Sequence, residues 1–334
     1  MRLACGCTDI HTHVVPAEFP PYAGRHADTP WPSMAEAHAC HRSVIIQGRN
    51  YRTVRDACWL PQLRLAEMGP MGVTRQALSP MPELLSYWLP LEDACALLRY
   101  LNEHIAQMVA LAPAQFVGLA GVPLQDVDAA IRELEFAMRE LGFRGCEIAS
   151  HVNGVSIGDA RFEPFFAAAE AMGAAIFVHA LRPAGQERIV GGVAEQMVCF
   201  PGDIGLAAAS MITGGMGSRH PKLRIAFSHG GGVLPVLLPR LVQGMKTIHP
   251  ETAGAAEAPD VVARRFFYDT ALYDPRAVKF LADMVGVSQV VVGTDYPFVI
   301  CETDPVGLVE RAGFTEAELR AVLAENAERF LGID

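Results

Sequence analysis

Short apolar, β-branched runs recur along the chain at 3–11, 73–79, 116–122, 145–150, 175–180, 224–229, 266–270 and 289–295. Each is bounded by turn-forming or polar residues and is too short for a helix of ordinary length, so the pattern predicts eight strands. Between and after them apolar positions return every three or four residues, as in LEDACALLRYLNEHIAQMVALA, DVDAAIRELEFAMRELG and TEAELRAVLAENAERFLG. That period is helical, and several such segments close on glycine, a frequent helix terminator. Eight strands alternating with helices predict parallel pairing and a (β/α)8 barrel of the TIM type. An open doubly wound sheet is the rival, but no GxGxxG follows the first strand, and GGG at 230–232 lacks that spacing. Residues 14–60 break the alternation: they are proline-rich, weakly periodic and read as an insertion covering the barrel mouth. The chain, 1–334, then forms a single domain.

Polar residues stand at one end of the runs. His11 and His13 close the first, His179 the fifth, His229 the sixth, Asp269 the seventh and Asp295 the eighth. In such a barrel the C-terminal strand ends share one rim, and chemistry sits there. Within TDIHTHVVP (8–16), Asp9, His11 and His13 have one parity, so the two imidazoles project together. A lone histidine at a strand end is more often structural. Three histidine-ended strands and one ending in GTD point instead to a metal site. His11, His13, His179 and Asp295 are the expected ligands: three nitrogens and a carboxylate suit Zn²⁺, with a further position for water. A bound cation lowers the pKa of that water to about 7. His229, with an ordinary pKa of about 6.5, reads as the acid/base, the alternatives being a fifth ligand or an orienting partner.

Composition narrows the partners. Across 334 residues, 51% are hydrophobic and 19% charged, which describes a globular chain with a large core. A net charge of −10 argues against nucleic acid or an anionic membrane as partner, and an anionic substrate would need local arginines to offset that field. The eight cysteines form no CxxC pair, and no apolar run approaches the length of a membrane span. LACGC has no apolar stretch ahead of Cys5, so it does not read as a lipoprotein signal. The expectation is reduced thiols in a soluble, cytoplasmic protein.

The motifs DIHTH, FVH, SHGGG and GTDYPF together resemble the amidohydrolase superfamily and, within it, the 2-amino-3-carboxymuconate 6-semialdehyde decarboxylase-like family. YRTVRDACW, MGVTRQALSPMP, RFEPFFAAAEAMG and HPKLRIAFSHGGG extend the similarity in the same order over nearly the whole chain. The resemblance implies one divalent metal, Zn²⁺, on His11, His13, His179 and Asp295, with His229 activating metal-bound water. GCEIASH carries no lysine, so the carbamylated-lysine bridge of two-metal relatives is not expected, and Glu147 there reads as structural. The resemblance also implies two arginines that hold substrate carboxylates, Arg52 in YRTVR and Arg240 in LPRL, and an aromatic pocket residue, Phe298. It implies a homodimer in which Arg52 and Arg240 come from different subunits. The expected activity is non-oxidative decarboxylation of an unsaturated or aromatic carboxylic acid, with Asp295 able to shuttle a proton. Hydrolysis or hydration by the same centre is the enzymatic alternative, and an inactive binding barrel the non-enzymatic one. One departure concerns specificity: Leu181 stands where the family carries a tryptophan, and no aromatic follows in ALRPAGQERIVGGVAEQ.

Overall fold

The computed structural model describes residues 6–26, 28–190, 195–248 and 257–333. Eight strands form the barrel: β1 (Cys7–Val14), β2 (Val73–Pro80), β3 (Phe116–Gly121), β4 (Gly145–Ala149), β5 (Ala175–His179), β6 (Arg224–Phe227), β7 (Phe267–Asp269) and β8 (Val290–Val291). They hydrogen-bond in that order, every neighbouring pair parallel. Parallel bridges Asp9–Val292 and Thr12–Tyr296 bring the eighth segment back against the first. The expected (β/α)8 architecture is therefore the one formed. Residues 3–5 of the expected first strand lie outside the described residues.

Each crossover carries a helix whose apolar stripe faces the strands. In Leu91–Leu111, Ala94, Leu97, Leu98, Leu101, Ile105 and Met108 are buried, the spacing of a single helix face. Val127–Arg139 starts where the Asp126 side chain accepts from the Ala129 N–H, satisfying one of the donors a helix start leaves open. Inside the barrel, Ala77, Leu119, Phe177, Ala226 and Val291 form a layer against which the last helix packs through Phe330. Phe330 lies against Phe267, the first residue of β7, and so closes the N-terminal end. The opposite end is left for chemistry.

Two elements were not anticipated. Helix Pro61–Met71 precedes β2; Pro70 near its end and the polar Gln62, Arg64 and Glu67 blur its period. Within 14–60 lies a three-stranded antiparallel sheet, Ser33–His38, His41–Ile46 and Arg49–Arg55. Gln47 and Gly48 both have positive φ, as a two-residue hairpin turn of the primed type requires. This sheet delivers Tyr51 and Arg52 to the barrel mouth.

Candidate metal centre and active site

His11 and His13 lie near the end of β1, and both are fully buried. Asp9 shares their parity in sequence, but the ladder shifts register between Asp9 and Thr12. Its carboxylate instead accepts from the Thr294 hydroxyl at 2.6 Å and from the His11 and Thr294 N–H groups, tying β1 to the GTD segment. Burial, only partly offset by these bonds, pushes the Asp9 carboxyl up to about 7. His179 is the last residue of β5. Asp295 follows β8 in a turn at φ 66°, where its N–H donates to the His11 carbonyl at 3.0 Å. One ligand atom from each of His11, His13, His179 and Asp295 lies within 4.8 Å of all the others.

The hydrogen bonds around these rings decide where their protons sit. His11 Nδ1 lies 2.6 Å from Asp269 Oδ2, His179 Nδ1 2.8 Å from the Ala180 carbonyl, and His13 Nδ1 3.4 Å from the Pro80 carbonyl. Each Nδ1 faces an acceptor, so it carries the proton and leaves the Nε2 lone pair for the centre. His11 and His13 then direct Nε2 lone pairs at each other across 3.1 Å, and Asp295 Oδ1 stands 3.1 Å from His13 Nε2 and 3.6 Å from His11 Nε2. Asp295 Oδ1 is buried without a hydrogen-bond donor. Three converging lone-pair donors repel one another unless a cation lies between them. Ligands about 2.0–2.1 Å from a common ion sit roughly 2.8–3.4 Å apart for angles between square and tetrahedral, close to the separations seen here. The residues fit a single divalent ion.

Electrostatics agree. Burial opposes a charge on His11, yet the Asp269 carboxylate prevails and pushes its imidazole up to about 9. Burial dominates at His13, which falls to about 4, and takes His179 well below the ordinary imidazole value. Burial also opposes the Asp295 carboxylate, but the surrounding histidines hold it far below the usual range. Without a cation His11 thus carries the positive charge of the centre while His13 and His179 stay neutral, and an ion held on the His11 Nε2 would take the place of that proton.

His229 stands beside this set and outside it. Its ring lies 5.0 Å from that of His179 and 5.4 Å from that of His11, with Ser228 Oγ 3.0 Å from its Nδ1. Burial and the neighbouring His11 lower its pKa, so the ring is neutral at neutral pH. It occupies a left-handed turn that runs on through three glycines. A Cβ at Gly232 would fall 1.8 Å from the Pro201 carbonyl oxygen, which excludes a side chain there.

His179, His229 and Asp295 open onto a cavity of about 440 Å³ whose other walls include Tyr51, Arg52, Met81, Phe200, Leu272, Tyr273 and Phe298. Phe298 stacks on His13 with centroids 4.9 Å apart and planes 17° apart, and the Arg52 guanidinium sits 4.1 Å above the Phe298 ring. Among the described residues Arg52 is the one arginine lining this cavity. Arg240 lies elsewhere in its own chain, on the exposed face of helix Leu234–Thr247. The aromatic wall missing after Leu181 is supplied from further along: Phe200 packs 5.7 Å from the His179 ring and 6.4 Å from that of His229. Glu147 is buried, accepts from Ser79 Oγ and lies 3.9 Å from His13 Nδ1. Burial pushes its carboxyl up to about 8, consistent with a structural acid beneath the centre.

Sequence reasoning missed Asp269 as the partner of His11, although its place at a strand end was visible. It also missed Arg64, fully buried, which donates to the carbonyls of Ala57 and His13 and to Thr12 Oγ1. An arginine within an ordinary helical pattern carries no signal that it turns inward.

The chain matches the amidohydrolase family over residues 8–333. It is 35% identical to 2-amino-3-carboxymuconate-6-semialdehyde decarboxylase of Dictyostelium discoideum over 329 residues, 98% of this chain and 91% of that one. Among solved structures, 5-carboxyvanillate decarboxylase from Sphingomonas paucimobilis is similar at a TM-score of 0.73 and 29% identity, covering 81% of this chain and 83% of that one. A dihydroxybenzoic acid decarboxylase of a Polaromonas species, with bound manganese and 2-nitroresorcinol, shares the fold at a TM-score of 0.73 and 22% identity, covering 82% of this chain and 86% of that one. With a buried His₃Asp set at the rim of a parallel barrel and similarity along nearly its whole length, the chain belongs to the amidohydrolase family.

Proposed function

We propose that the protein is a metal-dependent carboxy-lyase that removes CO₂ non-oxidatively from an unsaturated or aromatic carboxylic acid. The observation that carries this is the opening of the His11–His13–His179–Asp295 set onto a largely apolar cavity that also presents His229 and Arg52. Decarboxylases of such acids among its relatives support the same reaction class. Those four residues would hold one divalent ion, Zn²⁺ in our reading with manganese as a competitor, which would supply Lewis-acid polarisation and acidify water.

The chain's own residues do the rest. Arg52 presents a planar donor pair to a substrate carboxylate, and its seat on Phe298 fixes the plane of that pair. Phe298 and Phe200 offer faces on which a flat unsaturated substrate can rest. Neutral His229 accepts a proton at its free ring nitrogen and returns one to the carbon that loses CO₂. In this reading the ligand Asp295 also shuttles a proton, through the carboxylate oxygen that the ion would leave free. The apolar walls exclude bulk water and favour release of uncharged CO₂ over a solvated carboxylate.

The working unit in this reading is a cytoplasmic homodimer whose second clamp, Arg240, enters the neighbouring chain's cavity. Support comes from the helix that bears it: Val236 and Leu237 are 68% and 43% exposed, an apolar face suited to a two-fold contact. Among the described residues no helix is long and apolar enough to cross a membrane.

Elemental analysis of His11→Ala and Asp295→Ala tests the metal assignment. Each variant should lose tightly held metal together with nearly all CO₂ release. Stoichiometric metal and normal turnover in either would refute it.

A further inference from the structure

Asp269 is fully buried at the end of β7, and its two oxygens serve different parts of the centre. Oδ2 accepts from His11 Nδ1 at 2.6 Å. Oδ1 accepts the N–H groups of Gly230 at 3.0 Å and Ala271 at 3.1 Å. Gly230 directly follows His229, and the backbone there is unusual: φ is 53° at His229 and 63°, 73° and 57° at the next three glycines. Glycine adopts such angles freely, whereas a histidine does so only where its surroundings hold it.

We propose that Asp269 is a positioning residue that couples the two halves of the centre, fixing the tautomer of the ligand His11 with one oxygen and the turn that aims His229 with the other. The inference rests on the metal-dependent reading above and deepens it. A carboxylate is required because both of its oxygens accept. In His11 the proton must sit on Nδ1 for Nε2 to offer its lone pair, and only an acceptor at Oδ2 keeps it there. At the turn, two backbone N–H groups converge on Oδ1, and nothing but an acceptor can face them.

Asparagine has nearly the same shape but one acceptor oxygen, so it cannot satisfy both sides. With its carbonyl toward Gly230 and Ala271, its amide N–H points at His11 Nδ1 and drives the ring proton to Nε2, where it blocks the metal. With its carbonyl toward His11, an NH₂ group confronts two N–H donors and the His229 turn loses its anchor. Alanine removes both supports at once.

The test compares wild type, Asp269→Asn and Asp269→Ala. Folding is checked by circular dichroism, and Zn²⁺ affinity of the metal-stripped proteins by competition with a chromophoric chelator. The pH profile of kcat is then measured at saturating Zn²⁺. Folded Asp269→Asn should lose one side or the other: with the amide toward His11 it binds Zn²⁺ about 10–100-fold more weakly, the usual effect of losing the group behind a metal-bound histidine, and with the amide toward the turn it keeps its affinity and loses at least about tenfold in kcat at saturating Zn²⁺. Asp269→Ala should lose as much affinity and, once saturated with Zn²⁺, should still show kcat reduced at least about tenfold with a displaced acid limb, because His229 is no longer aimed. Folded Asp269→Asn with both wild-type Zn²⁺ affinity and wild-type kcat overturns the proposal, and that isosteric variant decides the matter if Asp269→Ala does not fold. Wild-type protein that fails to bind Zn²⁺ would instead remove the metal reading, and this inference with it.

Discussion

Arg52 is the residue whose loss the structure allows to be quantified. Its guanidinium is half-buried at the cavity wall, 4.1 Å above the Phe298 ring, and free to offer two parallel N–H donors to a carboxylate. A hydrogen bond to a charged group contributes about 1.5–3 kcal/mol, so a bidentate pair gives about 3–6 kcal/mol. Partial exposure places Arg52 at the lower end. Arg52→Ala should therefore lose about 3 kcal/mol of transition-state binding, about two decades in kcat/KM. Arg52→Lys keeps the charge but forfeits the second parallel bond and the planar seat on the ring, about 1.5–3 kcal/mol, so it should fall at least about tenfold. Most of the loss should appear in KM, because the clamp grips substrate and transition state alike. The assay is steady-state CO₂ release with an acid that the wild-type protein turns over, paired with elemental analysis. Metal content should be unchanged, since Arg52 reaches the centre only through Phe298. Arg52→Ala within threefold of wild type, or depleted of metal, would refute the clamp.

His229→Ala should keep its metal yet lose about 10²–10⁴ in rate, the range for a general acid or base; metal loss equal to that of His11→Ala would make His229 a ligand. Because burial and His11 lower its pKa, the functional neutral ring persists as pH falls through the ordinary imidazole value, and kcat/KM should decline only below it; a decline already centred at or above about 6.5 would contradict that environment. If Arg52 and Arg240 meet across a dimer, Arg52→Ala and Arg240→Ala should each be crippled alone, and mixing them with subunit exchange should restore roughly one site in four. Exchange without recovery would place Arg240 outside the clamp.

The barrel and the metal set were legible because both are periodic. Eight apolar runs with helical intervals have few architectures open to them, and a histidine or aspartate ending several runs is visible once the rim is imagined. The three-stranded sheet over 33–55 was not legible. Its first strand, SMAEAH, is exposed or half-exposed along its length, so it shows no alternation of buried and solvated positions. Helix Pro61–Met71 was hidden by Pro70, and the inward turn of Arg64 by its ordinary surroundings. Asp9 shares strand parity with His11 and His13 in sequence but turns its carboxylate to Thr294 across a register shift, a local irregularity that a period-two reading cannot register. Phe200 stands just beyond the aromatic-free stretch 180–196, and nothing in that stretch signals that the chain returns to the cavity four residues later.

In the proposed reading, decarboxylation depends on metal held by His11, His13, His179 and Asp295. The most direct measurement is CO₂ release from a panel of carboxylated muconate semialdehydes and hydroxybenzoates by one preparation, assayed metal-stripped and again after stoichiometric Zn²⁺ or Mn²⁺. The loaded protein should release CO₂ from at least one acid, lose that activity on stripping, and regain it with one metal per chain. Substrate consumed without CO₂, or CO₂ released equally by the stripped protein, would contradict that reading.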